Sequence, residues 1–492
     1  MNALSMFRET DPYEQLIAQM IALESRPQQV LKDRQVEQDR LKNVMKDVDS
    51  KLSALHTLVQ SFTDTISSPF DGRKAVLSDE TYFSVTAGSD GAFGTHSLEV
   101  QRLASSDKRV SQQYTSTGSD LDAWFNSNGD QTFEIEVAHP TVDDPSNRIS
   151  VSVTISPSGT KNEDILAEIS VAINEAMNQA VTDGRITKEE AASAAVVNES
   201  TGTARLTLGS GSTGFANRIA FADSGQSILA NLGLSDNVVA AGLGGGMVAD
   251  IGTSETDSQL NSQFILNGLT MYRSSNSVSD AVDGLTLNLK QAGGPLQDFS
   301  VTADSESLKK EVEEFITKYN DVLGFIQGKS TIDADAGVRG DFAGDSTFRG
   351  LRFAMRNDIA LEVTGQTAAG PKWITDLGIS IEKDGTLKLA DADKLIAAVE
   401  EDADAVKSLF TGEDGIATRL KNRIDGFVGV NGIISGRIGS IDSGIQRIKD
   451  RISNWDDRLA QREDHLRMQF ARLQQSMAVL QGQQQNFLAF FG

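Results

Sequence analysis

Toward the C-terminus the apolar positions keep a period of seven. Ile445, Ile452, Leu459, Leu466, Leu473 and Leu480 lie one heptad apart and define an a position. Ile441, Ile448 and Trp455 fill the d position first. Phe470 and Met477, one place later in the heptad, take over its apolar role in the second half. Heptads sustained over this length predict a coiled-coil helix of about 60 Å at ~1.5 Å per residue. The shift of seam suggests that a different or wider partner meets its far end. Gly482 is expected to end the helix and leave an apolar tail containing Phe487, Phe490 and Phe491.

The N-terminus carries a matching pattern. Asp11, Pro12 and Glu14 stand where an N-cap, a first helical residue and an N3 carboxylate belong, and Pro27 marks the next boundary. Beyond it Leu41, Met45, Val48, Leu52, Leu55, Val59, Phe62 and Ile66 alternate spacings of four and three. Two seamed helices at opposite ends of one chain most simply pair with each other. They would form a stalk with everything between them looped out; the plainer alternative packs each into its own globular domain. Ordering a long, thin stalk is expensive in conformational entropy, so full order is expected to need further copies of the chain or another protein.

From about residue 70 the period changes to two. Tyr82–Ala87 and His96–Leu103 read as strands around a Gly-rich turn, and "TFEIEVAHP" and "RISVSVTISP" alternate cleanly. "EDILAEISVAINEAMNQA" is an amphipathic helix, followed by strands at "ARLTLGS" and "NRIAFAD", which together make a ββαββ-like insertion. "AAGLGGGMVADIG" reads as a flexible exit. Strand, turn and strand follow from residue 264, then a short helix at Val278–Val282 and a strand at Leu285–Leu289. A helix capped by Ser305 or Ser307 presents Leu308, Val312, Phe315, Ile316 and Tyr319 on one face. Further helical segments flank a small β element, "LGISIEKDGTLKLA". The fold class is multidomain α+β, with terminal coiled-coil legs, a helical domain and inserted β-rich distal domains.

Composition narrows the partners. The chain has 492 residues, more than one core serves, and 45 Lys+Arg against 69 Asp+Glu give a net charge of −24. Such a charge repels nucleic acid and anionic membranes. The absence of cysteine removes disulfides, thiolate metal sites and cysteine catalysis. No apolar run reaches the ~18 residues of a membrane span. Arg8, Glu9, Asp11, Glu14, Glu24 and Arg26 interrupt the region where a secretory signal would keep its apolar core.

Candidate chemistry is sparse. "AGDSTF" offers the Gly-Asp-Ser of one esterase family, but that family needs an Asp three residues before a His, and Arg462 holds that place before His465. Asp345 or Ser346 is read instead as the cap of the following helix. "DGRITKEE" echoes half of a calcium loop. In that register Gln179 and Val181 occupy the first and third positions, where carboxylates are required, so a turn followed by a helix is the better reading. His56, His96, His139 and His465 have no ligand spacing, and "GLGGGM" breaks the dinucleotide fingerprint at its last glycine. No enzyme activity, metal or cofactor is expected.

Several motifs in a fixed order carry a family resemblance. "QLIAQMIALESRPQQVL", "NGLTMYRSSNSVSDAVDGLTLNLK", "GDSTFRGLR", "DLGISIEKDGTLKL", "AVKSLFTGEDGIATRL" and the closing heptads resemble the flagellar filament-capping family, hook-associated protein 2. "MNALSMFRE" replaces the Gly/Leu/Ser segment with which that family usually starts. The resemblance implies a four-part chain: legs at 1–42 and 440–492; a helical domain at 43–70 and 305–439; a β-rich domain at 71–105 and 259–304; and an inserted β-rich domain at 106–258. It implies a homo-oligomeric ring at the extracellular tip of a bacterial flagellum, which retains exported flagellin and promotes its polymerisation. Flagellin, a flagellar export chaperone and the type III export apparatus are the implied partners, with export independent of a cleaved signal peptide. The coiled-coil and oligomer interface is expected on Leu41, Met45, Val48, Leu52, Leu55, Ile445, Ile452, Leu459, Leu466, Phe470, Leu473, Met477 and Leu480. The alternatives are another axial flagellar protein, such as a hook–filament junction subunit, or a secreted adhesin that binds host glycan through the inserted domain.

Overall fold

The computed structural model describes residues 12–142, 144–222, 228–235, 238, 240, 242, 244–333, 337–367 and 369–491. The expected cap at Asp11 lies outside them, and so do the side chains of the tail phenylalanines. Among the described residues the α-helices are α1 Pro12–Glu24, α2 Arg26–Phe62, α3 Asp120–Asn128, α4 Asn162–Thr182, α5 Ile228–Leu232, α6 Ser305–Ser330, α7 Ser346–Ala360, α8 Ala392–Glu401, α9 Ala403–Thr411, α10 Ile416–Asp425 and α11 Ile433–Phe491. The chain divides into two compact units, 1–70 with 305–492, and 71–304.

In the first unit helices from the two terminal regions, α1 and α2 on one side and α11 on the other, come together. The four-three spacing of α2 places Val48, Leu52, Leu55, Val59 and Phe62 on one face, and all five are fully buried. They pack against α6, whose Val312, Phe315, Tyr319 and Val322 are equally buried, and against α10. Phe62, Phe70, Phe315 and Phe410 close this core as an aromatic cluster with ring centroids 5.1–6.1 Å apart. The small β element is a hairpin of Ile379–Ile381 and Leu387–Leu389. Asn320 on α6 fastens it, donating to Leu387 O (2.8 Å) and accepting from Leu387 N–H (2.7 Å).

Two helix ends differ from the sequence expectation. Ile66, counted in the α2 seam, lies beyond the helix and is 85% exposed. The Asp64 carboxylate accepts the N–H groups of Ile66 and Ser67 and so offers the backbone a turn in place of another helical bond. Conversely, α11 continues through Gly482 to Phe491. A glycine stops a helix by taking a positive φ, and Gly482 does not take one.

The second unit contains a β-sandwich and the inserted segment. In one sheet the strand Gly94–Arg102 lies between Gln297–Ala303 and Ser262–Leu266, with Arg73–Leu77 and Leu269–Arg273 at the edges. The other sheet joins Phe83–Ala87, Leu285–Leu289 and Ser277–Val278. Strand alternation turns Leu98, Val100, Phe264, Phe299 and Val301 inward against Phe83, Leu285 and Leu287. The short helix expected at Val278–Val282 is absent: Ser277–Val278 is a strand and the residues after it are bends. Arg273 draws the Asp280 carboxylate to its Nε at 2.9 Å, which fixes this bend.

Within the inserted segment Gln131–Ala138 pairs with Arg148–Ile155 and Ala220–Ala222, and Thr203–Thr213 pairs with Ser106–Val110, Tyr114–Thr115 and Ser193–Val197. The apolar face of α4, from Ile165 through Ile169 and Ile173 to Met177, fills the core beneath them. The "DGRITKEE" segment is a turn in which Glu190 accepts from Thr187 N–H and Oγ1. It leads into the strand Ser193–Val197, not into a helix, because Ala194 and Val196 alternate and pair with Leu208 and Leu206.

Candidate assembly interface

α1 and the first half of α2 lie along α11 and run in the opposite direction. Polar pairs fix the register. Lys42 bonds to Asp442, Gln28 to Asp456, Glu24 to Arg462 at 3.1 Å and Glu14 to Arg467 at 3.4 Å. The Tyr13 and Phe470 rings meet at 5.4 Å. Between and just beyond these pairs, buried apolar side chains line the seam: Ile17, Leu31 and Val44 from one side, Ile441, Ile445 and Leu466 from the other. The seam supplies most of the stability, since exposed ion pairs are each worth about 0–1 kcal/mol. Glu14 and Glu463 hold the Arg467 guanidinium above its ordinary pKa, so its charge is secure.

The expected interface residues fall into three environments. Val48, Leu52 and Leu55 are fully buried and Met45 nearly so, inside the unit's own core. Leu41, Ile452, Leu459 and Phe470 are half-buried along the leg, where Ile445 and Leu466 are buried. Leu473, Met477 and Leu480 are 47%, 46% and 58% exposed. The heptad thus continues past the part of the leg where the described partner helix ends. A second apolar line escaped the sequence reading. Leu16, Leu23 and Val30, seven residues apart, are 43%, 57% and 53% exposed on the outer side of α1 and α2. The seven-residue spacing was the signal, and Pro27 hid it by dividing the line between two helices.

The segments considered for chemistry are engaged in structure. Asp345 caps α7 by accepting Thr347 N–H at 2.9 Å and also pairs with Arg437 of α11. Burial opposes its ionisation. The bonds from Arg437 and Thr347 outweigh that and hold its pKa below the ordinary value. His56 lies 2.5 Å from Asp425, His96 stacks on Phe299, and His139 accepts Thr141 N–H. Among the described residues no three His, Asp or Glu side chains converge as metal ligands, and no helix is long and apolar enough to cross a membrane.

Comparison with known proteins gives one answer from both ends of the chain. The profile of the flagellar hook-associated protein 2 N-terminus matches residues 12–107, and that of its C-terminus matches 260–482. The A-type flagellar hook-associated protein 2 of Pseudomonas aeruginosa is 26% identical over 455 residues, covering 88% of this chain and 85% of that protein. The flagellar hook-associated protein 2 of Escherichia coli O157:H7 is 25% identical, covering 83% of this chain and 82% of its own length. The crystal structure of the D1-D2-D3 domains of the E. coli flagellar cap protein FliD shares the fold, with a TM-score of 0.57 and 22% identity over 81% of this chain and 99% of that one. Residues 108–259 lie between the two profile matches. The chain belongs to the flagellar hook-associated protein 2 family.

Proposed function

We propose that the protein is a structural cap at the distal end of a bacterial flagellar filament. In this reading it self-assembles into a ring, retains exported flagellin and promotes its polymerisation. The observation that carries the reading is the leg. The described helices of the two terminal regions form one antiparallel pair that still exposes two heptad lines, Leu16–Leu23–Val30 and Leu473–Met477–Leu480. Scattered apolar residues on a surface are ordinary, but lines at coiled-coil spacing fit the grip of further helices. Sister copies and filament subunits are the partners of matching geometry, and the α1 line is the side on which we place them. The reading is mechanical: the protein binds and positions subunits and catalyses no reaction. Export by the flagellar type III route, assisted by its chaperone, fits a chain without cysteine, which no disulfide can lock during passage.

The same reading divides the chain into legs at 1–42 and 440–492, a helical domain at 43–70 and 305–439, a β-rich domain at 71–105 and 259–304, and an inserted distal domain at 106–258. Light scattering of full-length protein against a form lacking 1–40 and 440–492 tests it, together with electron microscopy of a strain carrying only the trimmed form. The trimmed protein should be monomeric, and the strain should release flagellin from intact hooks. Unchanged self-association and normal filaments would overturn the proposal.

A further inference from the structure

A chain of net charge −24 repels copies of itself, so copies that associate need a place where the sign of the charge reverses. The outer face of α7 is such a place. Arg349, Arg352, Phe353 and Arg356 recur at i, i+3, i+4 and i+7, which sets them on one side of the helix. Phe348, Leu351, Met355 and Ile359 hold the other side and are buried. Arg349 is exposed, Phe353 is 55% exposed, and the Arg352 guanidinium lies 5.5 Å over the Phe353 ring. The carboxylates at the two ends of α7 do not neutralise this ridge, because Asp345 is paired with Arg437 and Asp358 with Arg423. Among the described residues Arg349 and Arg352 make no ion pair, and the Arg352 Nε is buried without a hydrogen bond. Arg356 donates to the Lys383 carbonyl at 3.3 Å.

The complement of this ridge lies in the same unit. α8 and α9 meet at Asp402, and Glu400, Glu401, Asp402 and Asp404 are exposed around the junction. Among the described residues Glu401 and Asp404 make no ion pair. Beside them, between α8 and the segment 369–376, lies a cleft of about 580 Å³. Ala397 and Ala398 give it small walls, and Glu401 and Asp402 give it an acidic edge. Lys394 also lines it, but turns its Nζ to the Thr375 carbonyl at 3.5 Å. Small walls admit an aromatic ring, and the carboxylates suit the guanidinium groups on either side of that ring. Within one chain α7 packs on α6 and α10, α8 packs on α6 and α9, and among the described residues ridge and cleft make no ion pair with each other.

We infer that the α7 ridge of one copy docks in the α8–α9 cleft of the next copy, with Phe353 in the cleft and its flanking arginines on the acidic edge. The inference rests on the self-assembly reading and names the surfaces that carry it. Two unlike patches joined head to tail make a heterologous contact, the kind that closes into a ring when the rotation between copies allows. Burial of Phe353 supplies attraction, and the charges set register and speed of encounter. The contact belongs to the helical domain, so it is separate from the exposed apolar lines of the leg.

Charge reversal tests this in full-length protein followed by light scattering and analytical ultracentrifugation. One variant reverses the ridge, Arg349→Glu with Arg352→Glu, and another reverses the cleft edge, Glu401→Arg with Asp404→Arg. Each alone then carries two patches of like sign, and its self-association should weaken about tenfold or more. Mixed, the ridge of each meets the cleft of the other, and association should return. That rescue also shows that both variants are folded. Phe353→Ser asks the same question without a change of charge and at an exposed site: association about tenfold weaker, with an unshifted melting temperature, is the expected result. Association of either reversed variant at the wild-type level, no rescue from two variants that melt as wild type does, or unchanged association of Phe353→Ser would overturn the inference. Those results leave a ring standing and move its contact elsewhere, whereas wild-type protein that stays monomeric at every concentration would overturn the self-assembly reading as well.

Discussion

At the residue scale, burial separates positions that the heptad treats alike. Phe410 is fully buried, with the rings of Phe62, Phe70 and Phe315 around it. Truncating such a side chain leaves a cavity that rigid neighbours cannot fill. Phe410→Ala should cost about 3–5 kcal/mol in denaturant unfolding of the first unit, whereas Ile66→Ala, at an 85% exposed site, should fall within about 0.5 kcal/mol of wild type. Asp345 serves as both cap and ion-pair partner. Asp345→Ala should destabilise by about 1–2 kcal/mol, the usual range for losing a cap. Its folded pKa lies below the ordinary carboxylate value, so its contribution is complete above that ordinary value and is lost as pH falls through the lower folded one. Melting curves of wild type and Asp345→Ala should therefore be well separated at neutral pH and converge in acid. A gap that stays constant down to pH ~2 would mean that the carboxylate charge plays no part.

At the element scale, the helices show how far local pattern reaches. Gly482 has no positive φ, and a Cβ built there meets nothing within 4 Å. Gly482→Ala should raise the helicity of the leg and stabilise its end by about 1 kcal/mol, read by circular dichroism and local hydrogen exchange. The sequence reading ended the helix at this residue because glycine punctuates helices on average, although one interior glycine costs too little to break a 59-residue helix. The seams of α2 and α11 and the face of α6 were legible because their period repeats many times. The strand Gln297–Ala303 was not, although Phe299, Val301 and Ala303 alternate as a strand should. One short alternation before a strong helix signal carries little weight until the neighbouring strand Gly94–Arg102 is there to pair with it. The bend after Val278 failed in the opposite way: its apolar spacing resembled a helix, and the ion pair of Arg273 with Asp280 decided otherwise. Of the interface, the seam was legible but its division into buried, half-buried and open stretches was not, because that depends on where the opposing helix begins.

At the scale of the molecule, the inserted segment leaves the sandwich by a narrow neck. Ser105 N–H donates to Leu260 O at 2.9 Å, and Ala104 exchanges two hydrogen bonds with the Asn276 side chain. One step inside the neck, Arg102 is paired with Gln263 across the sheet. The two ends of 106–258 are thus about one hydrogen bond apart, a gap that two or three glycines span at ~3.5 Å per residue. Among the described residues every strand partner of the insertion lies within it, so its removal takes no described strand from the sandwich. The main exposure is Leu260, fully buried and covered by Phe215, Met247 and Ile251 of the excised part. Excision of 106–258 with a short glycine linker and Leu260→Ser should therefore leave a folded chain whose sandwich melts cooperatively. If the leg and helical domain carry the capping activity, a strain bearing this variant should still grow filaments, and any attachment to surfaces owed to the insertion should disappear. Cooperative melting without filament growth would move the capping role into 106–258 itself. Loss of the melting transition would show instead that the neck depends on contacts such as Thr213 with Ser274 and Phe215 N–H with Asn261, which the excision also removes.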